Sequence, residues 1–93
     1  MSNNGMNVKL LNIKTGLQEY DNVKFIKIKS KDYNLLIMQD YLPIIGEIEG
    51  DVTIELVSNA IELTNIKAYF MNKKNQFNLF IKDEEEDVWF SSI

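Results

Sequence analysis

Apolar and polar residues alternate along much of this chain, and a period of two confines it to strands. In Asp51-Val-Thr-Ile-Glu-Leu-Val57, Val52, Ile54 and Leu56 fall on one side, and Thr53 and Glu55 on the other. Ala60-Ile-Glu-Leu-Thr-Asn-Ile66 repeats the pattern with Ile61 and Leu63. Val8-Lys-Leu-Leu-Asn-Ile-Lys14 and Val23-Lys-Phe-Ile-Lys-Ile-Lys29 are equally β-rich, but their apolar parity switches partway. Val8 and Leu10 give way to Leu11 and Ile13, and Val23 and Phe25 to Ile26 and Ile28. Such a switch predicts a bulge, or a chain crossing between two sheets.

Turn-forming residues fall at short intervals: Thr15-Gly16, Asp21-Asn22, Ser30-Lys-Asp32, Glu49-Gly-Asp51, Ser58-Asn59 and Asn72-Lys-Lys-Asn75. Val57-Ser-Asn-Ala60 reads as a two-residue hairpin connection. The expectation is an all-β, antiparallel two-sheet sandwich of about eight to ten short strands. It occupies residues 1–82 and is followed by a short charged tail, 83–93. In that tail Asp83 is a candidate cap for one helical turn. With 93 residues, 45% of them hydrophobic, the chain has enough apolar surface for one core. Met1-Ser-Asn-Asn-Gly-Met-Asn7 has no basic stretch followed by an apolar run, so a cytoplasmic location is expected.

The inventory narrows the chemistry. Cysteine and histidine are both absent, which removes thiolate nucleophiles, cysteine-based metal sites and the commonest general base. All ten cations are lysines, so the planar fork that clamps phosphate is missing too. The acids Asp83-Glu-Glu-Glu-Asp87 lack the alternate spacing and glycine of a calcium loop. Glu47, Glu49 and Asp51, beside Gly50, read as a solvent-facing row. No catalytic, metal or cofactor residue is expected. Charge is uneven: residues 1–31 carry a net +4 and residues 32–93 a net −8. Lysines in Lys24-Phe-Ile-Lys-Ile-Lys-Ser-Lys31 are expected on the solvent side of a strand.

The carboxy-terminal hairpin stands out because both of its sides are apolar. Ile66, Ala68 and Phe70 face one way, and Tyr69 and Met71 the other. Phe77, Leu79 and Ile81 share a face that Phe80 opposes. One side serves the core. The other is either a partner surface or is covered by Trp89 and Phe90.

The middle of the chain, Leu36-Ile-Met-Gln-Asp-Tyr-Leu-Pro-Ile-Ile45, resembles the epsilon-subunit pattern of rotary ATP synthases, Gly-Ile-Leu-Pro-x-His-Ala-Pro-Leu-Ile. Pro43 falls on the second proline, and Ile37, Ile44 and Ile45 match in type. Glu47-Ile-Glu-Gly-Asp-Val52 is similar to the following Ala-Leu-Lys-Pro-Gly-Val. Gln18-Glu-Tyr-Asp-Asn-Val23, Ile26-Lys-Ile28, Lys67-Ala-Tyr-Phe-Met71 and Phe77-Asn-Leu-Phe-Ile-Lys82 resemble the flanking strands, so the likeness spans residues 6–82. The chain departs from the pattern where Leu36 and Gln39 replace the glycine and first proline, and Tyr41 the histidine.

The resemblance implies the family's amino-terminal β-sandwich, a central-stalk part without bond chemistry that binds a gamma subunit and touches the membrane rotor ring. It implies partners in a gamma-like subunit and an alpha/beta ATPase head, with location at the inner face of the membrane through that complex. Asp32, Asn34, Asp40 and Tyr41 match the family's ring-facing loop. Tyr69, Met71 and Phe80 are the expected gamma-facing residues. The family's two carboxy-terminal helices would begin where this sequence ends, which implies a form without their inhibitory role, or a motor derived from such an ATPase. The competing expectation is a small barrel that binds single-stranded nucleic acid through Phe25, Tyr33 and the Lys24–Lys31 stripe, or an assembly adaptor.

Overall fold

A computed structural model describes residues 5–84. Seven strands follow one another: β1 Met6–Asn12, β2 Gly16–Val23, β3 Phe25–Ser30, β4 Asn34–Met38, β5 Ile44–Glu55, β6 Ala60–Lys73 and β7 Gln76–Glu84. They hydrogen-bond in the order β2-β1-β7-β6-β5-β3-β4. The all-β expectation holds, but the strands are fewer and longer than expected and form one hydrogen-bonded sheet rather than two. Glu49-Gly-Asp51 is no turn but the middle of the 12-residue β5. The pairing is not wholly antiparallel either, because β1 and β7 run parallel, from Asn7↔Gln76 to Asn12↔Ile81. No local signal in a sequence announces a pairing between its first strand and its last.

One continuous sheet makes two layers because it folds over on itself. β3 pairs only with the second half of β5, from Ser30↔Gly50 to Phe25↔Glu55. β7 pairs only with the second half of β6, from Ile66↔Glu84 to Lys73↔Gln76. The long β5–β6 hairpin therefore belongs to both layers and bends between them. The bend coincides with a bulge, where Thr64 and Asn65 oppose Asp51 alone. Asn65 takes the left-handed conformation, φ 53°, and its N–H donates to Asp51 Oδ1 at 3.0 Å. Gly50 sits at the same level, and a Cβ there would lie 2.2 Å from the Lys29 carbonyl oxygen.

Chain connectivity shows the same closure. β2 is one edge of the sheet and β3 lies next to the other, yet only Lys24 separates them in sequence. The parity switch at Val23–Ile26 is this crossing between layers. Asn22, at φ 57°, makes the bulge that precedes it, with Asp21 and Asn22 opposing Asn7. The switch expected at Leu11 does not occur. β1 stays regular, and Leu11 and Ile13 face outward.

A single core fills the space between the layers. Met6, Val8, Val23, Ile26, Ile28, Ile37, Ile48, Ile54, Ala68 and Phe77 are completely buried in it. Each fully enclosed Ile or Phe contributes roughly 1.5–3 kcal/mol of transfer free energy. Phe70 stacks on Phe77 with ring centroids 5.6 Å apart, and its edge lies where a Gly46 Cβ would be. Asn72 is the one buried polar side chain among the described residues, with Nδ2 donating to the Leu42 carbonyl at 3.4 Å.

Turn chemistry follows the short polar residues. Lys74 and Asn75 both have positive φ, 50° and 61°, as a tight two-residue hairpin requires. The β5–β6 connection is longer than expected: pairing stops at Glu55↔Ala60, and the Leu56 N–H donates to the Asn59 carbonyl. β7 continues through Asp83 and Glu84, so Asp83, expected at the start of the tail, belongs to the last strand. The remainder of the tail, with Trp89 and Phe90, lies outside the described residues.

Candidate partner-binding face

Strand pairing carries the outward side chains of β6 and β7 into line with those of β1 and β2. Register places Leu17 opposite Leu11, Leu11 beside Phe80, and Phe80 opposite Tyr69. These four residues form one apolar row across four strands. Met71, one step along β6, stands opposite Ile45 of β5. Tyr69, Met71 and Phe80 are 49%, 42% and 38% exposed, although each is large and apolar. Together these residues line a shallow depression of about 410 Å³. Scattered apolar residues on a surface need no explanation, but a contiguous patch of this kind does.

The three residues expected to face a partner, Tyr69, Met71 and Phe80, thus do converge. Leu11, Leu17 and Ile45 join them and were not anticipated. Leu11 stood at an expected parity switch, and Ile45 adjoins Ile44, so alternation alone could not say which residues point out.

A polar rim borders the patch. Lys82 Nζ lies 4.2 Å from the Tyr69 ring centroid and 2.8 Å from Glu47 Oε2. The Glu47 hydrogen bond, first among the causes, raises the Lys82 pKa above its ordinary value. Lys82 occupies the extra position between Ile81 and Asp83, where β7 bulges against β6. The bulge turns a long cation across the aromatic face of Tyr69, a favourable arrangement. The Glu47, Glu49 and Asp51 row is not a carboxylate centre: Glu47 pairs with Lys82, and Asp51 accepts from Asn65. Among the described residues no cluster of acids is suited to hold a metal.

The second expected set does not assemble. Asp32 and Asn34 sit at the start of β4, and Asp40 and Tyr41 lie beyond its far end. Four strand residues, 35–38, separate the pairs, a rise of about 13 Å. Asp40 has a structural role as well. It adopts φ 67°, its N–H donates to Asn75 Oδ1 at 2.6 Å, and its Oδ1 accepts from Asn75 Nδ2. It thereby ties the β4–β5 connection to the β6–β7 turn. Tyr41 is half-buried against the core.

The surface with Phe25, Tyr33 and the lysines is not a stacking platform. Phe25 is half-buried, and Tyr33 Oη donates to the Glu47 carbonyl. Burial, first among the causes, raises the Tyr33 pKa. Across the strands Lys29 faces Asp51 and Phe25 faces Glu55, so cations and acids are interspersed.

No family model matches this chain, and no curated protein does. A solved structure does. The fold is similar to that of a chain in the cryo-EM structure of the Tetrahymena thermophila mitochondrial ATP synthase central stalk and c-ring. The TM-score is 0.67 at 16% sequence identity, over 95% of this chain and 72% of that chain. The fold is one found in a rotary ATP synthase. Among the described residues, no helix is long and apolar enough to cross a membrane.

Proposed function

We propose that this chain is a non-catalytic, epsilon-like rotor subunit in the central stalk of an F-type or F-type-like rotary ATPase. The row Leu17–Leu11–Phe80–Tyr69, with Met71 and Ile45 beside it, is the observation that carries the reading. It forms a broad, weakly concave, aromatic surface with a charged rim, the composition of a protein interface. The occupant is a gamma-like subunit. The likeness to a chain from an ATP synthase stalk supports that assignment, as does the resemblance of residues 6–82 to the epsilon pattern.

The role is mechanical. Torque passes through a part that keeps its shape between its contacts, and a sheet folded around one close-packed core is stiff. Nothing in the site performs acid–base or nucleophilic chemistry, so the chain couples ATP turnover to rotation without reacting itself. Asp32 and Asn34 at one end of β4, and Asp40 and Tyr41 at the other, remain candidates for contact with a rotor ring. Their separation means that one compact contact would engage only one of the pairs.

Purification of the tagged chain from its own cells tests the reading. A gamma-like subunit and an alpha/beta ATPase head should co-purify. A chain recovered alone, or with oligonucleotides, would refute the assignment.

A further inference from the structure

The two edges of the sheet are built differently. Edge strand β2 carries Glu19 and Asp21 and the bulge at Asp21–Asn22. Charges and bulges keep an edge from pairing with another chain. Edge strand β4, Asn34-Leu-Leu-Ile-Met38, contains no charge and no proline. It pairs with β3 in unbroken register, from Phe25↔Met38 to Lys29↔Asn34.

Hydrogen-bond alternation identifies the free groups. Ser30 and Tyr33 exchange N–H···O bonds in both directions, at 2.8 and 3.4 Å. In an antiparallel pair such closely bonded positions alternate with open ones. Leu35 and Ile37 therefore bond toward β3, and Asn34 and Leu36 direct their N–H and C=O groups outward, as Met38 does its N–H; the Met38 carbonyl accepts from the Tyr41 N–H at 3.1 Å. Two fully open positions and a third open donor are a template for another strand.

The side chains around this template select by charge. Leu36 and Met38 are 44% and 49% exposed. Lys27 stands opposite Leu36, and Lys29 opposite Asn34. Neither lysine forms an ion pair with a described residue. Asp51, across from Lys29, directs Oδ1 to the Asn65 N–H. A hollow of about 300 Å³ opens over Lys27, Lys29, Asn34 and Leu36.

We infer that β4 is a strand-addition site for an extended segment of a partner protein in which acidic and apolar side chains alternate. The open N–H and C=O groups of Asn34 and Leu36, with the Met38 N–H, supply the main-chain bonds. Inward apolar side chains cover half-buried Leu35 and extend the core. An outward carboxylate lies two strand spacings, roughly 10 Å, from the Lys27 backbone. The lysine stem spans that gap over Leu36, with its ammonium at the acid. This edge is distinct from the Tyr69–Phe80 face, and the inference does not depend on a stalk role.

The test is titration of the full 93-residue chain with end-blocked (Glu-Val)4 and (Lys-Val)4 peptides, followed by amide NMR. The acidic peptide should shift the Asn34–Met38 amides and bind at least tenfold tighter than the basic one, with an affinity that falls as salt rises. Leu36→Pro deletes one outward N–H and leaves the bonds to β3 intact, and should weaken binding at least tenfold. Lys27→Glu with Lys29→Glu, which touches no backbone bond, should do the same with an unchanged circular dichroism spectrum. No binding at millimolar peptide, equal binding of both peptides, or shifts confined to Tyr69, Met71 and Phe80 would overturn the inference. So would a concentration-dependent dimer through β4, which would make a second copy the occupant.

Discussion

The two layers share a core but differ on their outer faces. Outward positions on the first, across β2, β1, β7 and β6, are Leu17, Leu11, Phe80 and Tyr69. Outward positions on the second, across β3, β5 and β6, are Lys27, Thr53 and Glu62. Both layers obey the same inward alternation, which builds the fold and is indifferent to what faces water. The difference lies wholly in the outward half of the pattern. A strand that is apolar on both sides, where its neighbour is apolar on one, has a second surface to cover. The proposed stalk contact is therefore to be sought on the first layer's outer face.

Substitutions separate core, joint and face in order of expected effect. Gly50→Ala acts at the bend that joins the layers and should be the most damaging. Its Cβ would meet backbone, which cannot move aside like a side chain, so a loss of about 3 kcal/mol or more is expected in urea unfolding. A phenylalanine pair then contrasts the two sides of one hairpin. Phe70→Ala opens a cavity beside Phe77 and should cost about 3–5 kcal/mol of stability. Phe80→Ala should leave stability within about 1 kcal/mol and weaken capture of the gamma-like subunit by about 2 kcal/mol, roughly thirtyfold. Equal losses of stability in the two variants would erase the distinction between core and face. On the second layer, Thr53→Lys with Glu62→Lys should leave capture of the gamma-like subunit within about twofold, in keeping with the modest effects of surface substitutions.

The smallest expected effect is on pH dependence. The Tyr33 phenol has a higher pKa folded than unfolded, so the folded state holds its proton longer. That contribution is whole below the unfolded value, about 10, and is lost as pH rises through the folded value. Unfolding midpoints above about pH 10 should thus fall less steeply for Tyr33→Phe than for the parent chain. Identical slopes would remove Tyr33 from the account.

The sequence carried the inward pattern of this fold plainly and the outward pattern only in part. Ile66, Ala68 and Phe70 against Tyr69 and Met71 were legible because fourteen-residue β6 keeps a regular period past its bulge. Leu17 sits between a turn glycine and polar residues, and nothing local marks it as one end of an apolar row. The row exists only because β1 pairs parallel with β7, a contact between the ends of the chain. Single-residue bulges at Asn22 and Asn65 were equally hidden, since one inserted residue resembles a turn signal. Gly50 illustrates the ambiguity: a glycine between acids reads as a turn, and here it is required by the close approach of β3. Asp40 was expected only at a ring-facing loop, and nothing local marked its tie to Asn75, thirty-five residues away.

Calorimetric titration of the purified chain with the gamma-like subunit of its own organism tests the central claim most directly. The account predicts a stable one-to-one complex with the parent chain. It also predicts at least a hundredfold weaker binding for Tyr69→Glu with Phe80→Glu, a variant whose fold and unfolding midpoint stay close to the parent's. An absence of binding by the parent, or undiminished affinity in that variant, would contradict it.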